Sequence, residues 1–473
     1  MKALQNSYIY HLYLLLRRWF ARQWDGSLLV EFMTSQKTAL PENVLVCSGA
    51  RKVRSCLMTL CEKLKLGKFL EGSIFLHPEW FAAAAVILAP LLPTMAVLAL
   101  VCAGFFSLVL KLGLERDMHI TATPLNGYVL LYAVIYLYAT MTSVSLAGSL
   151  FPGLLTVAFV LFFFVVTACF REEHKLRKLV GVMVLVGVVL SLYGFYQVLF
   201  PEKFRSVWTD TDMFSSITFR VYSTLENPNV LGEYFLLVIP LGAAMLLTAE
   251  TRKTRIAWLI ACGAMGVCLI LTYSRGCYLG LLFAAAVFLV LLDRRFLVVG
   301  IVAVALCPLY LPESVLTRFT SIGNMGDTST SYRVYIWLGT LAMLKDYWFC
   351  GIGPGVDAYN IIYPEYAYNA VTAPHSHSLY LQLVCDTGIC GLIIFLFIIV
   401  GFYRAMFTAI RRPRNRHAQI FQIAGVSCVT GFLVQSATDF TFYNYRVLFL
   451  FWCVLALSIS FARLGPMEEE HHD

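Results

Sequence analysis

Gly391-Leu392-Ile393-Ile394-Phe395-Leu396-Phe397-Ile398-Ile399-Val400-Gly401-Phe402-Tyr403 runs straight into Arg404-Ala405-Met406-Phe407-Thr408-Ala409-Ile410-Arg411-Arg412-Pro413-Arg414-Asn415-Arg416. The first part belongs to an apolar stretch over 378–403, and the second carries five basic residues and no acid. An apolar helix of about 20 residues crosses the hydrocarbon of a bilayer, and Lys and Arg collect on its cytoplasmic side. The pair predicts a spanning helix and also its direction, with 404–416 inside.

The same reading extends over the chain. Of its 473 residues 59% are hydrophobic and 14% charged, with a mean hydropathy of +0.74. Soluble domains carry about 25% charged residues. The apolar stretches are continuous, which selects helices over the alternating pattern of a β-barrel. Twelve spans are predicted, near 80–93, 94–112, 124–145, 147–170, 178–200, 229–249, 255–273, 277–293, 295–312, 378–403, 419–441 and 445–463. Residues 80–112 form one apolar run broken at Pro90 and Pro93, so a single kinked helix competes with two short ones.

Sidedness decides for two. With the N-terminus inside, cytoplasmic segments hold 28 of the 36 Lys and Arg residues. The other side keeps Lys203, Arg205, Arg220, Arg275, Arg318, Arg333, Lys345 and Arg446. Merging the first two spans would put the basic 171–178 and 404–416 segments outside. The predicted fold class is an all-α polytopic integral membrane protein of about twelve transmembrane helices, with both termini cytoplasmic. The net charge of +8 is this positive-inside bias and implies no nucleic-acid partner.

Three regions follow. Residues 1–79 form a cytoplasmic basic region, in which the aromatic, basic stretch 8–20 suits an interfacial helix on membrane lipids. A basic tail without fixed structure is the alternative. That stretch is too short to span, and no small-residue cleavage site follows it. Residues 80–464 are the transmembrane domain, and 465–473 an acidic cytoplasmic tail. Most of the 14 cysteines fall inside spans or in 1–79, without zinc spacing, and read as small apolar residues.

Two outer segments stand out by length, 201–228 and 313–377. The second holds a predicted amphipathic helix over 331–345, with Tyr332, Ile336, Leu338, Leu341 and Leu344 among its apolar positions. A turn-rich Gly351-Ile352-Gly353-Pro354-Gly355 and a Tyr-rich stretch follow. Loops longer than about 15 residues are usually functional or disordered, and the aromatic content favours an ordered lid resting on the membrane.

Arg220, Arg275 and Arg333 lie at the side depleted of basic residues, and His375 and His377 precede the 378–403 span. Snorkelling to headgroups accounts for any one arginine alone. Three arginines and two histidines on one face point further, because guanidinium binds phosphate bidentately and neutral imidazole serves as a general base.

Four motifs carry a family resemblance. Glu226-Asn227-Pro228-Asn229-Val230-Leu231-Gly232 resembles the "GNPN-x-L-(A/G)" turn of the O-antigen ligase/polymerase superfamily. Tyr273-Ser274-Arg275-Gly276-Cys277-Tyr278-Leu279-Gly280 resembles its "SRGAWLG" motif. Arg333, Trp337, Gly351, Gly353, Pro354 and Gly355 follow its "R-x-x-x-W … GxGPG" block. His377-Ser378-Leu379-Tyr380-Leu381-Gln382 with Asp386 and Gly388 resembles "HN-x-YLQ-x-x-x-E-x-G", with Ser378 for Asn and Asp386 for Glu; Glu226 replaces the first Gly of the turn. The similarity runs through Asp439, and residues 1–79 have no counterpart in it.

The resemblance implies a GT-C-like helical fold in a bacterial cytoplasmic membrane. It also implies extracytoplasmic transfer of glycan from an undecaprenyl-diphosphate-linked donor to a glycan, lipid or protein acceptor, without metal or cofactor. It assigns Arg220, Arg275 and Arg333 to the donor diphosphate and His377, then His375, to the general base. Asn227, Asn229, Tyr273, Ser274, Gln382 and Asp386 take supporting places. The alternative from another class is a secondary transporter of an envelope glycan or lipid precursor, for which twelve spans with both ends inside is also a common plan.

Overall fold

The computed structural model describes residues 44–64, 70, 72–115, 118–204, 219–293, 295–306, 309, 312–321, 326–413 and 415–464, together with residue 15. The predicted helix at 8–20 and the tail at 465–473 lie outside these. Among the described residues there is no strand. The helices are α1 (Val44–Lys63), α2 (Pro78–Leu88), α3 (Thr94–Leu114), α4 (Asn126–Met141), α5 (Leu146–Cys169), α6 (Glu173–Leu199), α7 (Pro228–Leu247) and α8 (Arg252–Leu271). They continue with α9 (Arg275–Leu292), α10 (Phe296–Leu306), α11 (Glu313–Thr320), α12 (Thr328–Tyr347), α13 (Val356–Ile362), α14 (Leu379–Arg411), α15 (Arg416–Ser436) and α16 (Tyr445–Ala462).

Each predicted span overlaps a helix, in whole or in part. Among the described residues nine are long and apolar enough to cross a membrane: α3, α5 to α9 and α14 to α16. The other three predicted spans appear as α2, α4 and α10, of 11, 16 and 11 residues. The run 80–112 does divide in two. The chain turns over 89–93, Pro93 is extended ahead of α3, and α2 packs back against α3. Apolar side chains such as Phe106, Leu192, Leu259 and Phe397 stay exposed on the outer helices, as lipid-facing positions require.

Close helix contacts position the site. Helices α7, α9 and α15 pack together at the centre. A Cβ at Gly280 would meet the Gly431 carbonyl oxygen at 2.6 Å, and one at Gly431 would meet the Gly280 carbonyl oxygen at 2.7 Å. Small residues let the α9 and α15 backbones touch. This brings the N-terminus of α9 beside the turn after α15.

The long segment folds as more than the one predicted helix. Asp327 caps α12 by accepting the Thr330 N–H at 3.0 Å, which starts the helix earlier than the apolar pattern indicates. Its buried face is Ile336, Gly339, Thr340, Met343 and Leu344, whereas Leu338 and Leu341 are exposed. Ile336 and Met343 join Ile352, Tyr359, Tyr363 and Cys385 in a separate small core. That core is pinned into α14 at Gly388, which breaks the helix with φ 68° and ψ −176°. The break frees the Cys385 carbonyl to accept the Ile352 N–H at 2.6 Å and lets Ile389 N–H donate to the Trp348 carbonyl at 2.8 Å.

Candidate active site

Each polar motif sits where a helix starts or a turn is forced. Asn227 caps α7 by accepting the Asn229 N–H at 2.8 Å. Tyr273 takes φ 50° in the tight turn between α8 and α9, and its hydroxyl lies 3.4 Å from Ser314 Oγ. Ser274 is buried at the start of α9. Arg220 Nε donates to the Thr272 carbonyl at 2.8 Å, tying the segment before α7 to that turn.

From there a chain of polar contacts runs to Asp439. Arg220 Nη2 donates to Asn229 Oδ1 at 3.0 Å, and Asn229 Nδ2 donates to Asp439 Oδ2 at 2.8 Å. Arg333 Nη2 lies 3.7 Å from the same oxygen, and His377 Nδ1 lies 3.5 Å from Asp439 Oδ1. The last separation exceeds an ordinary hydrogen bond, so it is a close electrostatic contact. Burial alone would raise the Asp439 pKa, but His377 and Arg333 outweigh it and hold the carboxyl well below the usual range.

Sequence reading gave Asp439 no role in the site. Its available signal was an acid placed among apolar residues at the outer end of a span.

The two histidines differ in state. His377 has φ 51°, a conformation uncommon for a residue with a side chain, and its carbonyl accepts Trp337 Nε1–H at 3.2 Å. Its backbone N–H donates to His375 Nδ1 at 3.2 Å. His375 is buried, and burial, followed by the neighbouring His377, pushes its pKa down to about 3. The His375 ring is therefore neutral near pH 7, with its acceptor nitrogen occupied and its proton on Nε2. It offers a donor. His377 turns Nδ1 toward a carboxylate, and with the proton there its Nε2 carries the lone pair.

Arg275 belongs to a second knot. Its Nη2 lies 2.9 Å from Asp327 Oδ1, and its Nη1 donates to Ser321 Oγ at 3.0 Å. Arg318 Nη1 lies 3.5 Å from Asp327 Oδ2. Burial works against the Asp327 charge, yet Arg275 and Arg318 hold its carboxyl below the ordinary range. Arg318 was counted in the sequence only as a basic residue outside. Its Nε donates to the Tyr273 carbonyl at 3.3 Å. Burial and then Arg275 push its pKa down to about 10, while burial, Arg318 and Arg333 push Arg220 down to about 9. Mutual repulsion among guanidiniums marks a region of positive potential suited to an anion.

Gln382 and Asp386 stand elsewhere. They line a cavity of about 360 Å³ together with His375, Glu226, Tyr443 and Arg446. Arg220, Arg275, Arg333 and His377 are not on its walls. His375 lines this cavity, and its ring centroid is 4.2 Å from that of His377. Among the described residues no three His, Cys, Asp or Glu side chains are grouped as metal ligands.

Residues 260–396 match the sequence profile of the family described as O-Antigen ligase. The matched stretch runs from within α8 to within α14 and includes Arg275, Arg318, Asp327, Arg333, His375 and His377. Arg220 and Asp439 lie outside it. No curated protein matches the chain.

Proposed function

We propose that this chain, whose residues 260–396 match the O-Antigen ligase profile, is a membrane glycosyltransferase working on the extracytoplasmic side of a bacterial cytoplasmic membrane. It transfers or polymerises glycan from an undecaprenyl-diphosphate-linked donor onto an acceptor hydroxyl. The observation carrying this reading is the convergence of His377 and Arg333 on Asp439, with Arg220 joined through Asn229.

In the proposed reaction the acceptor oxygen bonds to the anomeric carbon as its proton passes to His377 Nε2. The bond from that carbon to the diphosphate oxygen breaks, and its electron pair leaves with the diphosphate. A single displacement of this kind inverts the anomeric centre. Asp439 orients His377 and balances the imidazolium that forms. Guanidiniums from the two knots take up the charge growing on the leaving group, an electrostatic role that needs them already in place.

The test is transfer by purified His377→Gln protein in lipid, supplied with intact labelled donor. Turnover is expected to fall by about 10²–10⁴-fold, with donor binding kept. Rates near wild type would remove His377 as the base.

A further inference from the structure

Asp386 has no part in the chemistry above. It is only 3% exposed, two turns into α14, and accepts from Gln382 Nε2 at 2.8 Å and from the Tyr136 hydroxyl at 3.2 Å. Both partners are neutral. An acid inside a membrane bundle held by neutral donors alone is costly and normally marks a functional place.

Gln382 shows what that place is. The other end of its amide, Oε1, accepts the Ser376 N–H at 2.8 Å. All three residues are buried. A carboxylate accepts and does not donate, so Asp386 takes the NH2 end of Gln382 and keeps Oε1 on Ser376. Without an acceptor at 386 the NH2 group would be buried unpaired, a cost that the side chain escapes only by leaving Ser376.

Ser376 stands between the two histidines. Its hydroxyl donates to the Ser378 carbonyl at 3.0 Å, and the Leu379 N–H donates to the Asp439 carbonyl at 3.0 Å. His377 is therefore carried between two fixed points, one at Gln382 and one on the Asp439 backbone. Its φ of 51° is a conformation that such constraints must hold. Slack at Gln382 moves His377 against Asp439, and their separation of 3.5 Å is already long.

We infer that Asp386 is a positioning residue: it fixes the Gln382 amide, which through the Ser376 N–H holds His377 at Asp439. The inference rests on the glycosyltransferase reading and gives the buried acid a place in it. The relay needs an acceptor at 386 that faces Gln382, and the negative charge itself is dispensable.

The test uses the full chain in nanodiscs, with transfer from labelled donor and hydrogen exchange of the 374–379 backbone read separately. In Asp386→Leu, kcat should fall by about 10- to 100-fold, the scale of a misplacement near 1 Å. Donor KM should stay within about twofold, since no arginine of the two knots touches the relay, and exchange at 374–379 should rise by about tenfold or more. Asp386→Asn, which accepts from Gln382 while the Tyr136 hydroxyl reverses, should stay within about fivefold of wild type. So should Gln382→Glu combined with Asp386→Asn, where the carboxylate accepts from both Ser376 and the new amide. The Leu variant of both residues should be no slower than Gln382→Leu alone.

Wild-type kcat and exchange in Asp386→Leu would overturn the inference. So would Asp386→Asn as slow as Asp386→Leu, which would make the charge itself the requirement, or losses that multiply in the double Leu variant. A wild type that transfers no glycan would count instead against the glycosyltransferase reading, and the exchange measurement, which reads Ser376 without turnover, would still decide the relay.

Discussion

Replacing Asp439 by Asn tests whether the carboxylate makes His377 a base. The amide keeps the size and one acceptor oxygen, but its NH2 group must face either Asn229 Nδ2 and Arg333 Nη2, now 2.8 and 3.7 Å from Oδ2, or His377 Nδ1, now 3.5 Å from Oδ1. Donor then meets donor, and Arg333 and the imidazolium that forms during transfer lose their anion. At these separations the attraction between a carboxylate and an imidazolium is about 4 kcal/mol at the effective dielectric of a protein edge. The side chains are 11% and 20% exposed, so solvent screens part of this. About 2–3 kcal/mol survives, a fall in turnover of roughly 30- to 200-fold. A carboxylate at true hydrogen-bond distance behind a catalytic histidine is worth about 10⁴, so the smaller figure suits the longer contact.

The assay is transfer at saturating donor and acceptor by purified protein in lipid, for Asp439→Asn, His377→Gln and the double variant. If Asp439 acts through His377, the double variant is no slower than His377→Gln alone. Turnover within threefold of wild type, or effects that multiply in the double variant, would refute the reasoning.

Further outcomes follow from other contacts. Asp327→Asn keeps a good helix cap but removes the charge between Arg275 and Arg318, so donor KM should rise about tenfold with kcat little changed; unchanged KM in steady-state assays would leave Asp327 as a cap only. Gly388→Ala would place a Cβ 1.9 Å from the Phe349 carbonyl oxygen at φ 68° and should destabilise by about 3 kcal/mol or more, whereas Gly263→Ala, with nothing within 4 Å, should be neutral or stabilising in thermal unfolding. His375 has a folded pKa far below that of the unfolded chain, so the folded state binds fewer protons. Its contribution is complete above about pH 6.5 and is lost as pH falls toward about 3. His375→Asn should flatten that acid limb of a melting curve, and an unchanged limb would contradict the burial argument. Cysteines placed in 313–377 should react with an impermeant thiol reagent added outside, and cysteines in 404–416 only after the membrane is opened; reversed labelling would invert the sidedness.

The placement of the apolar helices, the break at Pro90 and Pro93 and the identity of the motif arginines and histidines were legible in the sequence alone. These depend on local chemistry: continuous apolar runs satisfy their own backbone in lipid, proline ends a helix, and charged residues stop a span. Tertiary structure decided what those residues do together. An apolar residue reads the same whether it faces lipid or core, so the pattern could not separate buried Ile336 and Met343 from exposed Leu338 and Leu341. Asp439 and Arg318 acquire roles only when α9 and α15 touch at Gly280 and Gly431 and bring distant turns to one end of the bundle. The same packing holds Arg275 with Asp327 and places Gln382 and Asp386 behind His375. Those groupings come from backbone approach and side-chain volume across contacts more than 40 residues apart, and no local pattern along the chain encodes them.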